Sequence, residues 1–211
     1  MDGLLFDTER LNIESFLKYV GPKQGIDYTV EDLLRMIGMN SESISSLYKT
    51  IYGEDYDWEE SSRLSREYQY QYIEKNGIPI KKGAEELLEW FVQKGVRCAL
   101  ATSSNKDVAE YFLKAGNMEK YFDVLVSGDE VTKGKPDPEI FDIAARKMGC
   151  TSSSEAVVFE DSMNGMKAGV DGGYNVIMIP DLVELTGDYP GKCLAVLGAL
   201  DEAMWILYNR I

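Results

Sequence analysis

Apolar residues in the first third of the chain recur at helical spacing. Ile13, Phe16, Leu17 and Val20 share one helical face, as do Val30, Leu33, Leu34 and Ile37, and then Ile44, Leu47, Tyr48 and Ile51. A further stretch, Trp58 to Ile73, carries Leu64, Tyr68 and Tyr72 on one side. Turn residues separate these stretches at Gly21-Pro22, Gly38, Gly53 and Asn76-Gly77. Four helices with no strand between them predict a small bundle.

The pattern changes near Gly83. Short apolar runs at Val96–Ala101, Phe122–Ser127, Ala156–Phe159, Asn175–Ile179 and Cys193–Leu197 read as buried parallel strands. Amphipathic helices lie between the early runs, at Lys106–Ala115 and Pro138–Met148, and a shorter one follows Ser162. Leu200–Leu207 reads as a closing helix with Trp205 packed on the core. Alternating strands and helices predict an α/β fold, a doubly wound parallel sheet, and such sheets bind ligands at the carboxyl ends of their strands.

Composition narrows the chemistry. The formal charge is −14, from 36 acidic and 22 basic residues, which opposes binding to nucleic acid or to an anionic membrane surface. No apolar run approaches the roughly 20 residues needed to span a bilayer, and no signal peptide opens the chain. The three cysteines are odd in number and far apart, as expected of reduced thiols in a cytoplasmic protein. There is no histidine, so Ser-His triads and His-ligated zinc are excluded. Chemistry rests on carboxylates, hydroxyls, lysines and a bound cation.

Three loops after strands supply such groups. Thr102, Ser103, Ser104 and Asn105 lead into a helix, where hydroxyls and free amides favour an anion. Lys135 precedes Pro136 and so sits on extended backbone, placed to neutralise a phosphoryl oxygen. Glu160 and Asp161 end a buried strand, a costly pairing unless a cation or donors balance it; hard oxygen ligands point to Mg2+. Each loop has a plainer reading on its own: an ordinary helix cap, a solvated lysine, and Asp161 capping the next helix. Together they put a hydroxyl, an ammonium and two carboxylates on one sheet edge, the equipment of phosphoryl transfer. Asp129 and Asp137 read as turn and capping residues. Tyr68, Tyr70 and Tyr72 read as packing.

The chain resembles the haloacid dehalogenase superfamily, in the branch holding β-phosphoglucomutase and small phosphatases with a helical cap. The resemblance rests on Met-Asp-Gly-Leu-Leu-Phe-Asp-Thr-Glu (1–9), Leu-Ala-Thr-Ser-Ser-Asn-Lys (100–106), Ser-Gly-Asp-Glu-Val-Thr-Lys-Gly-Lys-Pro-Asp-Pro-Glu-Ile-Phe (127–141) and Val-Phe-Glu-Asp-Ser-Met-Asn-Gly (158–165), all in the family's order. It implies a Rossmann-like core (80–211), a four-helix cap (9–79) and a remnant of the first core motif (1–8). It further implies that Thr102 and the Ser103 amide hold phosphate, that Lys135 pairs with it, and that Asp161, Glu160 and Asp2 position Mg2+. The substrate would be a small phosphorylated metabolite such as a sugar phosphate, handled by a monomer.

The family's first motif is a buried strand ending in Asp-x-Asp, whose first aspartate attacks phosphorus and whose second is general acid and base. Asp2 takes the second position, and the nucleophile falls one residue before Met1. This reading expects the natural chain to begin upstream, an aspartyl-phosphate route impaired in these 211 residues, and sheet neighbours left without a central strand. An alternative register makes Leu4-Leu5-Phe6-Asp7-Thr8-Glu9 a strand ending in Asp-x-Glu. The mutase branch uses a cap histidine and a cap arginine; Asn12 and Ser41 stand there, which favours a phosphatase over a mutase. A catalytically silent phosphate-binding protein is the other reading.

Overall fold

The computed structural model describes residues 1–37, 39, 41–208 and 210; the turn expected at Gly38 lies outside them. The first helical stretch runs through α1 (Thr8–Ser15), a π-helical turn (Phe16–Val20) and α2 (Gly21–Gln24). The turn expected at Gly21-Pro22 therefore falls instead at Gly25, with φ 69°. In the widened turn Gly21 N–H bonds back to Phe16 C=O, and Pro22 sits in the first turn of α2, where its missing donor is tolerated. A Cβ at Gly21 would stand 2.6 Å from Ile26 O, so the chain turns back tightly against it.

Three helices complete this unit: α3 (Val30–Leu34), α4 (Ser41–Tyr52) and α5 (Trp58–Asn76). Thr29 caps α3 by accepting from Asp32 N–H at 3.1 Å, and Asp57 caps α5 by accepting from Glu60 N–H at 3.0 Å. The apolar faces read from the sequence meet in one core containing Phe16, Val20, Leu33, Ile44, Tyr48 and Leu64. Tyr48 packs edge-on to Tyr52 and Tyr56, with centroids 5.5 and 5.4 Å apart. Tyr70 leaves that core and lies 4.1 Å from the Tyr111 ring, where the helical unit meets the α/β unit.

The α/β unit contains α6 (Ala84–Lys94), β1 (Ala99–Ala101), α7 (Lys106–Ala115), β2 (Val124–Val126), α8 (Glu139–Met148), β3 (Val157–Glu160), α9 (Met163–Asp171), β4 (Asn175–Met178), β5 (Ala195–Val196) and α10 (Ala203–Leu207). Every expected strand is present, most of them shorter than its apolar run, because run ends also pack as loop. All pairings are parallel, but they form two sheets, β1-β2 and β3-β4-β5. Between β1 and β3 lies a slot of about 410 Å³, lined by Leu100, Val158 and Phe159 and by Leu87, Phe91 and Ala144 from the helices on either face. The slot falls where the resemblance puts the central strand.

Residues 1–7 make turns and single bridges, Asp2 to Phe6 and Phe6 to Ile80, so the alternative strand over Leu4–Phe6 does not form. The expectation for Trp205 is also corrected. It is 87% exposed, since Leu200, Ala203 and Leu207 take the buried face and the short helix turns Trp205 outward.

Candidate active site

The loops after β1, β2 and β3 open on a cavity of about 210 Å³ that Asp2, Thr102, Ser103, Lys135, Glu160 and Asp161 all line. Its other wall comes from the helical unit, including Asn12, Ser41, Ser65, Arg66 and Gln69. Thr102, Lys135 and Asp161 face one space because the parallel strands present their carboxyl ends on the same side, and the turn at residues 1–7 adds Asp2 to it.

Asp2 is held from two directions. Thr8 Oγ1 donates to its Oδ1 at 2.6 Å and Ser104 Oγ donates to its Oδ2 at 2.8 Å. Thr102 is buried and accepts from Ser104 N–H at 3.2 Å. The loop after β1 is fixed by Gly128, whose N–H bonds Ser104 C=O at 2.9 Å. A Cβ at Gly128 would stand 2.2 Å from Ser103 O, so glycine permits the close approach of these two loops.

Lys135, in a cis Lys135–Pro136 unit, forms a buried ion pair with Glu160. The other Glu160 oxygen accepts from Ser162 Oγ at 3.2 Å. Burial, the largest single influence, would raise the Glu160 pKa; the Lys135 ammonium, the amino group of Met1 and the hydrogen bonds from Lys135 and Ser162 together outweigh it and hold the carboxylate low. Ser162, not Asp161, caps α9, accepting from Gly165 N–H at 3.1 Å. Asp161 is left for the cavity, and burial together with the charge of Glu160 pushes it up to about 7. Glu9, on the cavity wall, is pushed to about 8 by burial and by Asp2, Asp161 and Asp181. The cavity holds more negative charge than its cations balance.

Asn12 is tied into the helical unit: its Oδ1 accepts from Ser65 Oγ at 2.7 Å and Gln69 Nε2 at 3.1 Å. Arg66, half-buried on the same wall, forms no ion pair among the described residues. Sequence reasoning does not single out Thr8, Arg66 or Asp181, and it raises Glu9 only as the second acid of the alternative Asp-x-Glu register. The alternation Asp7-Thr8-Glu9 was visible within the first motif, but Arg66 and Asp181 had no local signal. Asp129 and Asp137 serve as expected, accepting from Lys106 N–H at 3.2 Å and Glu139 N–H at 3.0 Å.

The family model described as haloacid dehalogenase-like hydrolase matches residues 1–179. The chain belongs to this family. The haloacid dehalogenase-like hydrolases to which it is similar include a phosphorylated carbohydrates phosphatase of Thermotoga maritima, 33% identical over 201 residues, covering 95% of this chain and 89% of the relative. A probable pseudouridine-5'-phosphatase of Drosophila melanogaster is 35% identical over 188 residues, covering 86% of this chain and 79% of the relative. Among solved structures, one described as a putative beta-phosphoglucomutase from Thermotoga maritima superposes with a TM-score of 0.77 at 27% identity, covering 100% of this chain and 97% of the other. The α/β fold of this hydrolase is therefore the fold of its family. Among the described residues no helix is long and apolar enough to cross a membrane.

Proposed function

We propose that this hydrolase is a Mg2+-dependent phosphatase of small phosphorylated metabolites, sugar phosphates or similar, working through an aspartyl-phosphate as a cytoplasmic monomer. The observation that carries the reading is the shared cavity: Asp2, Thr102, Ser103, Lys135 and Asp161 face a single space of about 210 Å³. The Thr102 hydroxyl and the Ser103 amide bind phosphoryl oxygens, and Lys135 neutralises them. Asp2, oriented by Thr8 and Ser104, is the general acid and base. The three free cysteines and the acidic surface support the cytoplasmic setting.

The residues fit Mg2+. Among the described residues no three ligating side chains are gathered as a ready set, because Asp2 is turned to Thr8 and Ser104 and Glu160 to Lys135. Two observations nonetheless favour a cation. Among the described residues Asp181 Oδ2 is buried without a hydrogen-bond partner, and a Cβ at Gly3 would stand 2.2 Å from Asp161 Oδ2, so only glycine leaves room beside that carboxylate. All available donors are hard oxygens. Asp161 and Asp2 would hold the ion, with Glu160 holding Lys135 in place and adding its charge. Bound there, Mg2+ supplies neutralisation of the phosphoryl oxygens.

The mutase alternative is disfavoured by Asn12, whose carboxamide oxygen is spent on Ser65 and Gln69. The test measures phosphate release from para-nitrophenyl phosphate and hexose phosphates with Mg2+. One protein is the chain as it stands; the other carries an apolar strand ending in aspartate before Met1. Release is expected from the extended protein and little from the first. Saturable orthophosphate binding without turnover by either protein would favour the silent reading, and neither binding nor turnover would sink both.

A further inference from the structure

Two connections join the helical unit to the α/β unit, one through residues 5–7 and one through residues 77–83. They run side by side: Asp7 N–H bonds Pro79 C=O at 2.8 Å, Lys81 N–H bonds Leu5 C=O at 2.9 Å, and Phe6 bridges Ile80 in antiparallel sense. Arg10, in the first turn of α1 beyond the first connection, and Lys81, in the second, reach the same atom. Arg10 Nη1 lies 2.7 Å and Lys81 Nζ 2.6 Å from Asp181 Oδ1, and Arg10 reaches back to Asp7 at 2.5 Å.

Asp181 follows β4, and its side chain is 4% exposed. Its second oxygen, Oδ2, is buried and accepts no hydrogen bond among the described residues. A buried carboxylate oxygen is costly unless a donor reaches it. The position a Cβ would take at Gly3 lies 3.4 Å from this atom and 2.2 Å from Asp161 Oδ2, so the two carboxylates crowd the same glycine. The surroundings call for a positively polarised donor between them.

We infer that Asp181 completes the cation site. Its Oδ2 accepts a hydrogen bond from a water bound to the divalent ion that Asp161 holds, while its Oδ1 fastens both connections to the helical unit. The inference rests on the cation reading above and goes beyond it: Asp181 is a positioning residue that serves the cation through one oxygen and the seating of the helical unit through the other. Partners of metal-bound groups typically change affinity by about 10- to 100-fold when removed.

The test titrates Mg2+ into the whole chain by calorimetry for wild type, for Asp181→Asn and for Arg10→Met with Lys81→Met. Asp181→Asn is expected to weaken Mg2+ binding by roughly tenfold or more. The double variant, which keeps the carboxylate and removes two nearby positive charges, is expected to lower the melting temperature without weakening Mg2+ binding. Unchanged Mg2+ affinity in Asp181→Asn overturns the inference and leaves the cation reading standing. Absence of Mg2+ binding by wild type overturns both. Should Asp181→Asn not fold, wild type decides: Mn2+ in place of Mg2+ broadens the Asp181 carboxyl carbon resonance together with that of Asp161, and an unbroadened Asp181 resonance overturns the inference.

Discussion

Lys135 and Glu160 form an ion pair in which both side chains are buried, 7% and 6% exposed. The pair joins the loop after β2 to the last residue of β3, 25 positions apart, and lines the cavity. Removing one member of a buried pair leaves the other charge without compensation. Glu160→Gln is therefore expected to cost about 3–5 kcal/mol of stability, read by urea unfolding. A cost below about 1 kcal/mol, the worth of an exposed pair, would mean that Lys135 finds another counter-charge.

Thr102 tests the phosphate clamp separately from stability. Thr102→Val keeps the shape and removes the hydroxyl. Orthophosphate binding should weaken by about 10- to 150-fold, since a hydrogen bond to a charged group is worth about 1.5–3 kcal/mol. The lost acceptor for Ser104 N–H should cost only about 1 kcal/mol of stability. Calorimetric titration with phosphate checks the first figure, and unchanged affinity would take Thr102 out of the clamp.

The carboxylates around the cavity predict an unusual pH dependence. Asp161 rises from its ordinary 3.8 to about 7, and Glu9 from 4.5 to about 8, so the folded protein retains protons that the unfolded chain gives up. Stability then falls as pH rises, because the folded state binds more protons. The contribution is fully present near the unfolded values and is lost as pH passes through 7 and 8. No histidine titrates in that window to oppose it. Cation-free protein should melt at a lower temperature at pH 8.5 than at pH 5.5, and Mg2+ should raise the melting temperature more at pH 8.5. A higher cation-free melting temperature at pH 8.5 would contradict the assignment.

The slot between the sheets has a signature in hydrogen exchange. Thr102 N–H bonds Val126 C=O and Ile179 N–H bonds Glu160 C=O, so even-numbered residues of β1 and β3 face their paired neighbours. By strand parity Ala99, Ala101, Val157 and Phe159 point their amides into the slot. Those amides should exchange at least about tenfold faster than those of Leu100, Thr102, Val158 and Glu160, an opening-energy difference of about 1.4 kcal/mol. Equal protection would mean that the slot closes in solution.

Arg66 tests what the helical wall selects. Arg66→Gln should weaken binding of a sugar bisphosphate about tenfold while leaving orthophosphate binding within about threefold, as expected for loss of a guanidinium–anion contact. Equal losses for both ligands would place Arg66 on the transferring phosphoryl group instead.

Much of this was legible in the residues themselves. The period of Phe16, Val20, Leu33 and Tyr48 fixed the helical unit, because burying one face of a helix needs nothing but spacing. The loops holding Thr102, Lys135 and Asp161 were found because a hydroxyl, an ammonium and a carboxylate pair all follow buried strands read as one parallel sheet, although each alone has an ordinary use. Trp205 was misjudged for a related reason: a five-residue helix buries too narrow a face for spacing to say which large residue takes it.

What the linear order determined is most of the elements, α6 being left unread, and the chemical groups at the strands' carboxyl ends, since both follow from local periodicity and short-range turn chemistry. Only the tertiary structure decided which charges meet. It paired Lys135 with Glu160, moved the α9 cap from Asp161 to Ser162, gathered Arg10 and Lys81 on Asp181, and divided the strands into two sheets. Electrostatic partners and strand edges are chosen by distance in space, and separation along the chain carries no trace of that distance.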